Sequence, residues 1–128
     1  MPQRPSVSMQ NHMAPVVGDP SPWGTIDHVY ALGPDVVAVA TPSHGGLWVP
    51  PEAMTSIPAP LRASAYSGDG WFEEDCDWCI PYLVLGLHHF EDSAERGEQV
   101  LEAARTTLRR FHAELAGLIP DSADAAPA

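Results

Sequence analysis

Two short stretches of this chain carry the residue types that could do chemistry. The first is Thr41-Pro42-Ser43-His44-Gly45-Gly46. An imidazole at a strand end is where a general base or a metal ligand often sits, and glycines let the backbone take positive φ and approach a ligand closely. The structural alternative is a tight turn whose imidazole caps a backbone carbonyl. Ser43 beside His44 is not a nucleophile pair, because adjacent side chains in an extended segment point apart. No Gly-x-Ser-x-Gly elbow is present.

The second stretch is Gly70-Trp71-Phe72-Glu73-Glu74-Asp75-Cys76-Asp77-Trp78-Cys79. On a helix, Glu73 and Glu74 would share one face with Asp77, opposite Phe72, Cys76 and Cys79. From Ala63 to Glu95 the charged residues are Asp69, Glu73, Glu74, Asp75, Asp77, Glu91, Asp92 and Glu95, with no base before Arg96. An ordinary solvated face interleaves its signs, so this run reads as a surface built for a cationic partner. Trp78, off the apolar stripe beside Asp77, and Trp48 are the aromatic anchors such a surface would use. The expected contact set is therefore Asp69, Glu73, Glu74, Asp75, Asp77, Trp78 and Trp48.

Cys76-Asp77-Trp78-Cys79 has redox or zinc spacing, but acidic neighbours raise a thiol pKa and oppose thiolate chemistry. Zinc would need two more ligands, and the adjacent His88 and His89 lack the usual finger spacing. The expectation is two reduced, packed thiols without metal, and no cofactor.

The chain has 128 residues, 45% of them hydrophobic and 18% charged, enough for one domain with a real core. Seventeen Asp and Glu stand against six Lys and Arg, all six arginine, for a formal net charge of -11. That balance opposes direct binding to nucleic acid or to anionic membranes, both of which need clustered cations. Two cysteines make no disulfide framework. Met1 to Val17 lacks a signal-peptide pattern, and the apolar run Cys79 to Leu87 is about half the ~20 residues of a spanning helix. A soluble, cytoplasmic protein is expected.

The elements that must position these residues follow from periodicity. Proline-rich residues 1–22 read as a flexible arm, 23–119 as one globular domain and 120–128 as a disordered tail. Thr25 to Leu32 alternates like a half-buried strand, with Ile26, His28, Tyr30 and Leu32 on one face, and Val36 to Ala40 like a central one. Gly33-Pro34-Asp35 joins them as a hairpin. Leu47-Trp48-Val49 supplies a third strand, and Pro51 with Glu52 opens a short helix. From Trp71 the apolar spacing predicts a helix capped by Asp69 or Gly70, kinked or ended at Pro81, after which Tyr82 to Leu87 continues it or forms a strand. Ser93 to Leu118 predicts the longest helix, with Leu101, Ala104, Leu108, Phe111, Leu115 and Leu118 inward and a capping box from Asp92 to Glu95. The fold class is α+β, a small antiparallel sheet of about three strands on two helices, the longer one C-terminal. Its stripe would pack on the sheet or pair with a second copy as a homodimer.

Thr41, Pro42, His44, Gly45, Gly46 and Gly70, Trp71, Phe72, Glu73, Glu74, Asp75 together resemble the two motifs of an uncharacterised domain family of phages, plasmids and their bacterial hosts. Trp23-Gly24, Ile57-Pro58 and Leu61-Arg62 are similar too, and the likeness covers roughly Trp23 to Leu87. It implies a mobile-element context and no particular chemistry. The favoured function is then a small acidic inhibitor. Its carboxylates would imitate phosphates on the basic surface of a host nuclease or CRISPR effector, as an anti-CRISPR or anti-restriction protein. The alternative is a metal-assisted hydrolase, with His44, Glu73 and Asp75 as ligands and His44 with Glu74 as the catalytic pair. Distance between His44 and the acids separates the two.

Overall fold

In a computed structural model of the chain, residues 14–65 and 67–119 are described. The outer part of the expected arm (1–13) and the expected tail (120–128) lie outside the described residues.

The sheet begins with β1 (His28–Ala31) and β2 (Val37–Ala40), an antiparallel hairpin that pairs Ala31 with Val37. Its turn closes where the Leu32 N–H donates to the Val36 carbonyl at 2.9 Å. β1 is an edge strand, and of its four residues only Val29 is partly buried. The expected inward face therefore fails at His28 and Tyr30, although Ile26 just before the strand is buried. Ahead of β1, the Gly18 N–H donates to the Ile26 carbonyl and the Ile26 N–H to the Asp19 carbonyl, both at 2.9 Å. Part of the segment expected as an arm is thus tied to the fold by its backbone.

β3 (Gly45–Trp48) pairs with β2 and begins two residues earlier than the sequence suggested. Gly45 and Gly46 are strand residues rather than loop, and neither has a positive φ. Their need for glycine is steric. A Cβ on Gly46 would collide with the Phe72 carbonyl and with the Trp23 ring, and one on Gly45 would lie 2.5 Å from the Val39 carbonyl. Protein packs where a ligand was expected to approach.

The chief correction comes next. Trp71–Glu73 is β4, a fourth strand paired with β3, not the first turn of a helix. Gly68, Asp69 and Gly70 have φ of 73°, 54° and 87°, three consecutive left-handed residues that reverse the chain and lay it back along β3. The Val49 N–H donates to the Gly70 carbonyl at 2.9 Å, extending that pairing. The four strands run in the order β1-β2-β3-β4.

Between β3 and β4 lie α1 (Pro51–Met54), which starts on its proline as expected, and α2 (Ala59–Ser64), which was not foreseen. After β4 a turn leads to α3 (Cys79–Val84), whose first five residues are buried. Pro81 falls in its first turn, where an N–H has no partner within the helix, so it neither kinks nor ends α3. A 3-10 helix (Leu87–Phe90) leads to α4 (Ala94–Phe111), the longest helix. Its N-cap is Ser93, whose Oγ accepts the Arg96 N–H at 3.0 Å, rather than Asp92. Gly97, Leu101, Ala104 and Leu108 face inward. The stripe then departs from expectation, for α4 ends at Phe111, which is 50% exposed, and His112 turns inward instead. A second 3-10 helix (Ala113–Leu118) follows, with Leu118 exposed. The molecule is thus α+β as expected, with four strands rather than three and more than two helices. Its core joins Leu47, Val49, Phe72, Ile57 and Leu61 to Ile80, Leu83, Leu101 and Leu108. No helix among the described residues is long and apolar enough to cross a membrane.

Candidate functional site

The strand pair β3–β4 brings the two chemistry-bearing stretches side by side. Gly46 is opposite Glu73 in the register, and one step further the Glu74 N–H donates to the Gly45 carbonyl at 2.9 Å. His44 immediately precedes β3, so its side chain meets the two glutamates at one end of the sheet. Its Nδ1 lies 3.8 Å from Glu73 Oε2 and 4.0 Å from Glu74 Oε2. These separations are too long for hydrogen bonds. Ligand atoms of His44, Glu73 and Glu74 all lie within 4.8 Å of one another. Around a tetrahedral ion with bonds of about 2.1 Å, ligand atoms sit ~3.4 Å apart, so small side-chain shifts would close the three on a divalent cation.

Two of the three groups are held from behind. Thr41 fixes the turn: its N–H donates to the His44 carbonyl at 2.8 Å, and its Oγ1 accepts the His44 N–H at 3.1 Å. That hydroxyl also lies 2.7 Å from the His44 carbonyl and 3.1 Å from the Trp23 carbonyl, anchoring the turn to the preceding loop. Glu73 is clamped through one oxygen. Its Oε1 accepts the N–H groups of Asp75 at 2.8 Å and Cys76 at 3.2 Å, which leaves Oε2 as the oxygen nearest His44. Side-chain exposure is 14% for Glu73, against 53% for His44 and 51% for Glu74. The site is an open one, with one fixed carboxylate and two accessible groups.

The remaining expected site residues scatter. Asp75 serves Glu73 through its backbone, and its carboxylate is not part of the cluster, so Glu74 takes the ligand position expected for Asp75. Asp77 is a larger departure. It is 1% exposed, on no common face with Glu73 and Glu74, because a tight turn replaces the expected helix there. Its Oδ1 lies 3.1 Å from His112 Nε2, which also lies 3.0 Å from the Cys76 carbonyl. A contact surface cannot use Asp77. Trp78 is half-buried and packs edge-on against Tyr82 at 5.4 Å, joining the core rather than standing out as an anchor. Trp48 and Asp69 line a separate open cavity with Pro51, Met54 and Arg62.

The thiols behave as their neighbours require. Desolvation, then the Asp77 charge and the hydrogen bond to Glu73, push the Cys76 thiol up to about 12. Burial, then Asp77, push Cys79 up to about 12. Both are free, and His88 and His89 line a different cavity with Glu91 and Asp92. His112 was not singled out from the sequence. Its place four residues after Leu108 continues the inward stripe as well as Phe111 does, so the spacing alone does not choose between them.

Electrostatically the sheet half is one-signed. Between residues 14 and 95 the only Lys or Arg is Arg62, and its Nη1 is turned inward to the Ile57 carbonyl at 2.7 Å. The arginines of α4 lie elsewhere, Arg105 and Arg109 beside Glu102.

Compared with known proteins, residues 17–119 match the family described as Domain of unknown function (DUF7007). No curated protein and no solved structure matches the chain.

Proposed function

The chain belongs to the DUF7007 family; from the geometry of His44, Glu73 and Glu74 we propose that it is a metal-dependent hydrolytic domain whose cation these three residues would hold. The observation that carries this reading is the convergence of one imidazole and two carboxylates from adjacent strands within 4.8 Å. Prepositioning of the Glu73 carboxylate by the turn supports it, since a ligand fixed by outer hydrogen bonds loses less entropy on binding an ion, and Thr41 fixes the backbone from which His44 projects. A divalent cation there would lower the pKa of a bound water toward neutrality. Glu74, the more exposed of the two carboxylates, would serve with the oxygen not turned to the cation as the base that accepts the proton of a water attacking the substrate carbonyl carbon. The carboxylic acid so formed would give that proton to the leaving group as the scissile bond breaks. The one-signed field disfavours polyphosphate substrates, so the substrate class is an amide or ester in a neutral or cationic chain.

One observation favours a second reading. Asp69, Glu74 and Asp75 are exposed, and from residue 14 to 95 the sequence holds Arg62 as its sole Lys or Arg; such a one-signed field steers cationic partners toward it. A phage- or plasmid-borne inhibitor of a host nucleic-acid-handling complex would use it so, without Asp77. Calorimetric titration with Mn2+ and Zn2+ separates the two readings. The hydrolase reading expects one site, weakened at least about tenfold in both His44→Ala and Glu73→Gln. Absence of binding at millimolar metal, with salt-sensitive capture of a basic protein, would replace it with the second.

A further inference from the structure

We infer that His112 is a positioning residue for the cation site: from the end of α4 it holds the turn 74–78 in the shape that aims Glu73 at His44. The inference rests on the proposed reading of His44, Glu73 and Glu74, and it adds a residue 38 positions or more beyond any of them in sequence.

The turn is folded around Glu73 at both of its acceptor groups. The Asp77 and Trp78 N–H groups donate to the Glu73 carbonyl at 3.0 and 2.9 Å. Those of Asp75 and Cys76 donate to its Oε1 at 2.8 and 3.2 Å. Any change in the turn therefore moves the carboxylate. His112 supports this turn from α4, beside the Glu74 N–H bond to the Gly45 carbonyl of β3 at 2.9 Å and the contact of Cys79 Sγ of α3 with the Cys76 carbonyl at 3.5 Å. His112 is 7% exposed, and its Nε2 lies 3.0 Å from the Cys76 carbonyl and 3.1 Å from Asp77 Oδ1. A carbonyl only accepts, so Nε2 carries the hydrogen and donates to both.

The backbone explains how the ring arrives there. His112 has φ -138° and ψ 41°, so α4 stops at Phe111 and the imidazole swings inward while Phe111 is left in solvent. Exposing a phenylalanine to bury a histidine is unfavourable by area alone. A buried charged or polar pair roughly breaks even against an apolar pair of the same volume. What this pair supplies beyond stability is a fixed distance between α4 and the turn, and the turn in turn fixes Glu73.

Three variants test this in the full chain: His112→Gln, whose amide can donate to the same two acceptors; His112→Asn, too short to reach them; and His112→Leu. Two readouts are taken, Mn2+ affinity by calorimetry and the rate of Cys76 alkylation mapped by tandem mass spectrometry. Expected are wild-type affinity within about threefold for His112→Gln and a loss of about 10- to 100-fold for His112→Asn and His112→Leu. Cys76 alkylation should rise at least about tenfold in the latter two and stay slow in the glutamine variant, as thiolate exposure sets that rate. If His112→Leu does not fold, His112→Asn carries the same expectation. Wild-type Mn2+ affinity and slow alkylation in a folded His112→Asn would overturn the inference. If the wild type binds no Mn2+, the metal reading fails on its own. Alkylation then decides whether His112 holds the turn, a rise in the folded Asn and Leu variants but not in the Gln variant supporting it and no rise refuting it.

Discussion

Replacing Gly46 by alanine tests whether the β3–β4 pair that assembles the site is as close as described. The added methyl would meet the Phe72 carbonyl and, at 2.5 Å, the Trp23 ring. The ring could shift, since Trp23 is only half-buried, but the carbonyl belongs to the paired strand and moves only if the pair opens. Overpacking of a tight site costs about 1–3 kcal/mol, and a clash with backbone belongs at the upper end. At about 4–8 °C per kcal/mol for a domain near 100 residues, Gly46→Ala should lower Tm by about 12 °C or more. Gly117→Ala is the control, because a Cβ there meets nothing within 4 Å and the φ is not positive. Thermal melting by circular dichroism reads both. Should Gly46→Ala melt within about 3 °C of wild type while Gly117→Ala does the same, the strands are not in the stated contact and the site geometry falls with them.

Further expectations concern the helix, the acids and the thiols. Leu108→Ala should cost about 3 kcal/mol and Phe111→Ala under about 1 kcal/mol by urea denaturation, since Leu108 is buried and Phe111 half exposed; equal losses would restore the unbroken stripe. Asp77→Arg should cost about 3–5 kcal/mol, because it breaks a buried pair. Asp75→Arg, at an exposed position, should leave the urea midpoint nearly unchanged, and similar midpoints for the two would return Asp77 to the surface. The Cys76 and Cys79 thiols ionise near 12 when folded against a usual 9.0, and burial and Glu91 also raise the Tyr82 hydroxyl. The unfolded chain therefore releases these protons first, so stability should hold below pH ~9 and fall as pH rises toward ~12. Urea midpoints that stay flat or rise across that window would show that the fold does not hold these groups protonated.

The α+β class, the first hairpin, the central position of β2 and the inward run Leu101, Ala104, Leu108 were legible because each rests on local periodicity or turn chemistry. β4 was not. Trp71, Phe72, Cys76, Cys79 and Leu83 fit a helical period, but three left-handed residues before them commit the chain to a hairpin return, and Asp69 gives no glycine signature for its part. The same error hid the site: on a helix, Glu73 and Asp77 would lie together, whereas a strand ending in a turn sends one to His44 and the other to His112. That His44 and two of the acids meet depends on the β3–β4 register, a non-local pairing that spacing along the chain does not encode. His112 was hidden because a stripe with steps of three and four admits either residue 111 or 112, and buried partners on a distant turn decide between them.

The central claim, that His44, Glu73 and Glu74 hold one divalent cation, is tested most directly by paramagnetic broadening. In a 1H–15N spectrum of the full chain, substoichiometric Mn2+ should first erase the amide signals of His44, Gly45, Glu73 and Glu74, and His44→Ala should abolish that pattern. Broadening that begins at Glu98 and Glu102 on α4, or that spreads evenly over every exposed carboxylate and persists in His44→Ala, would contradict the claim.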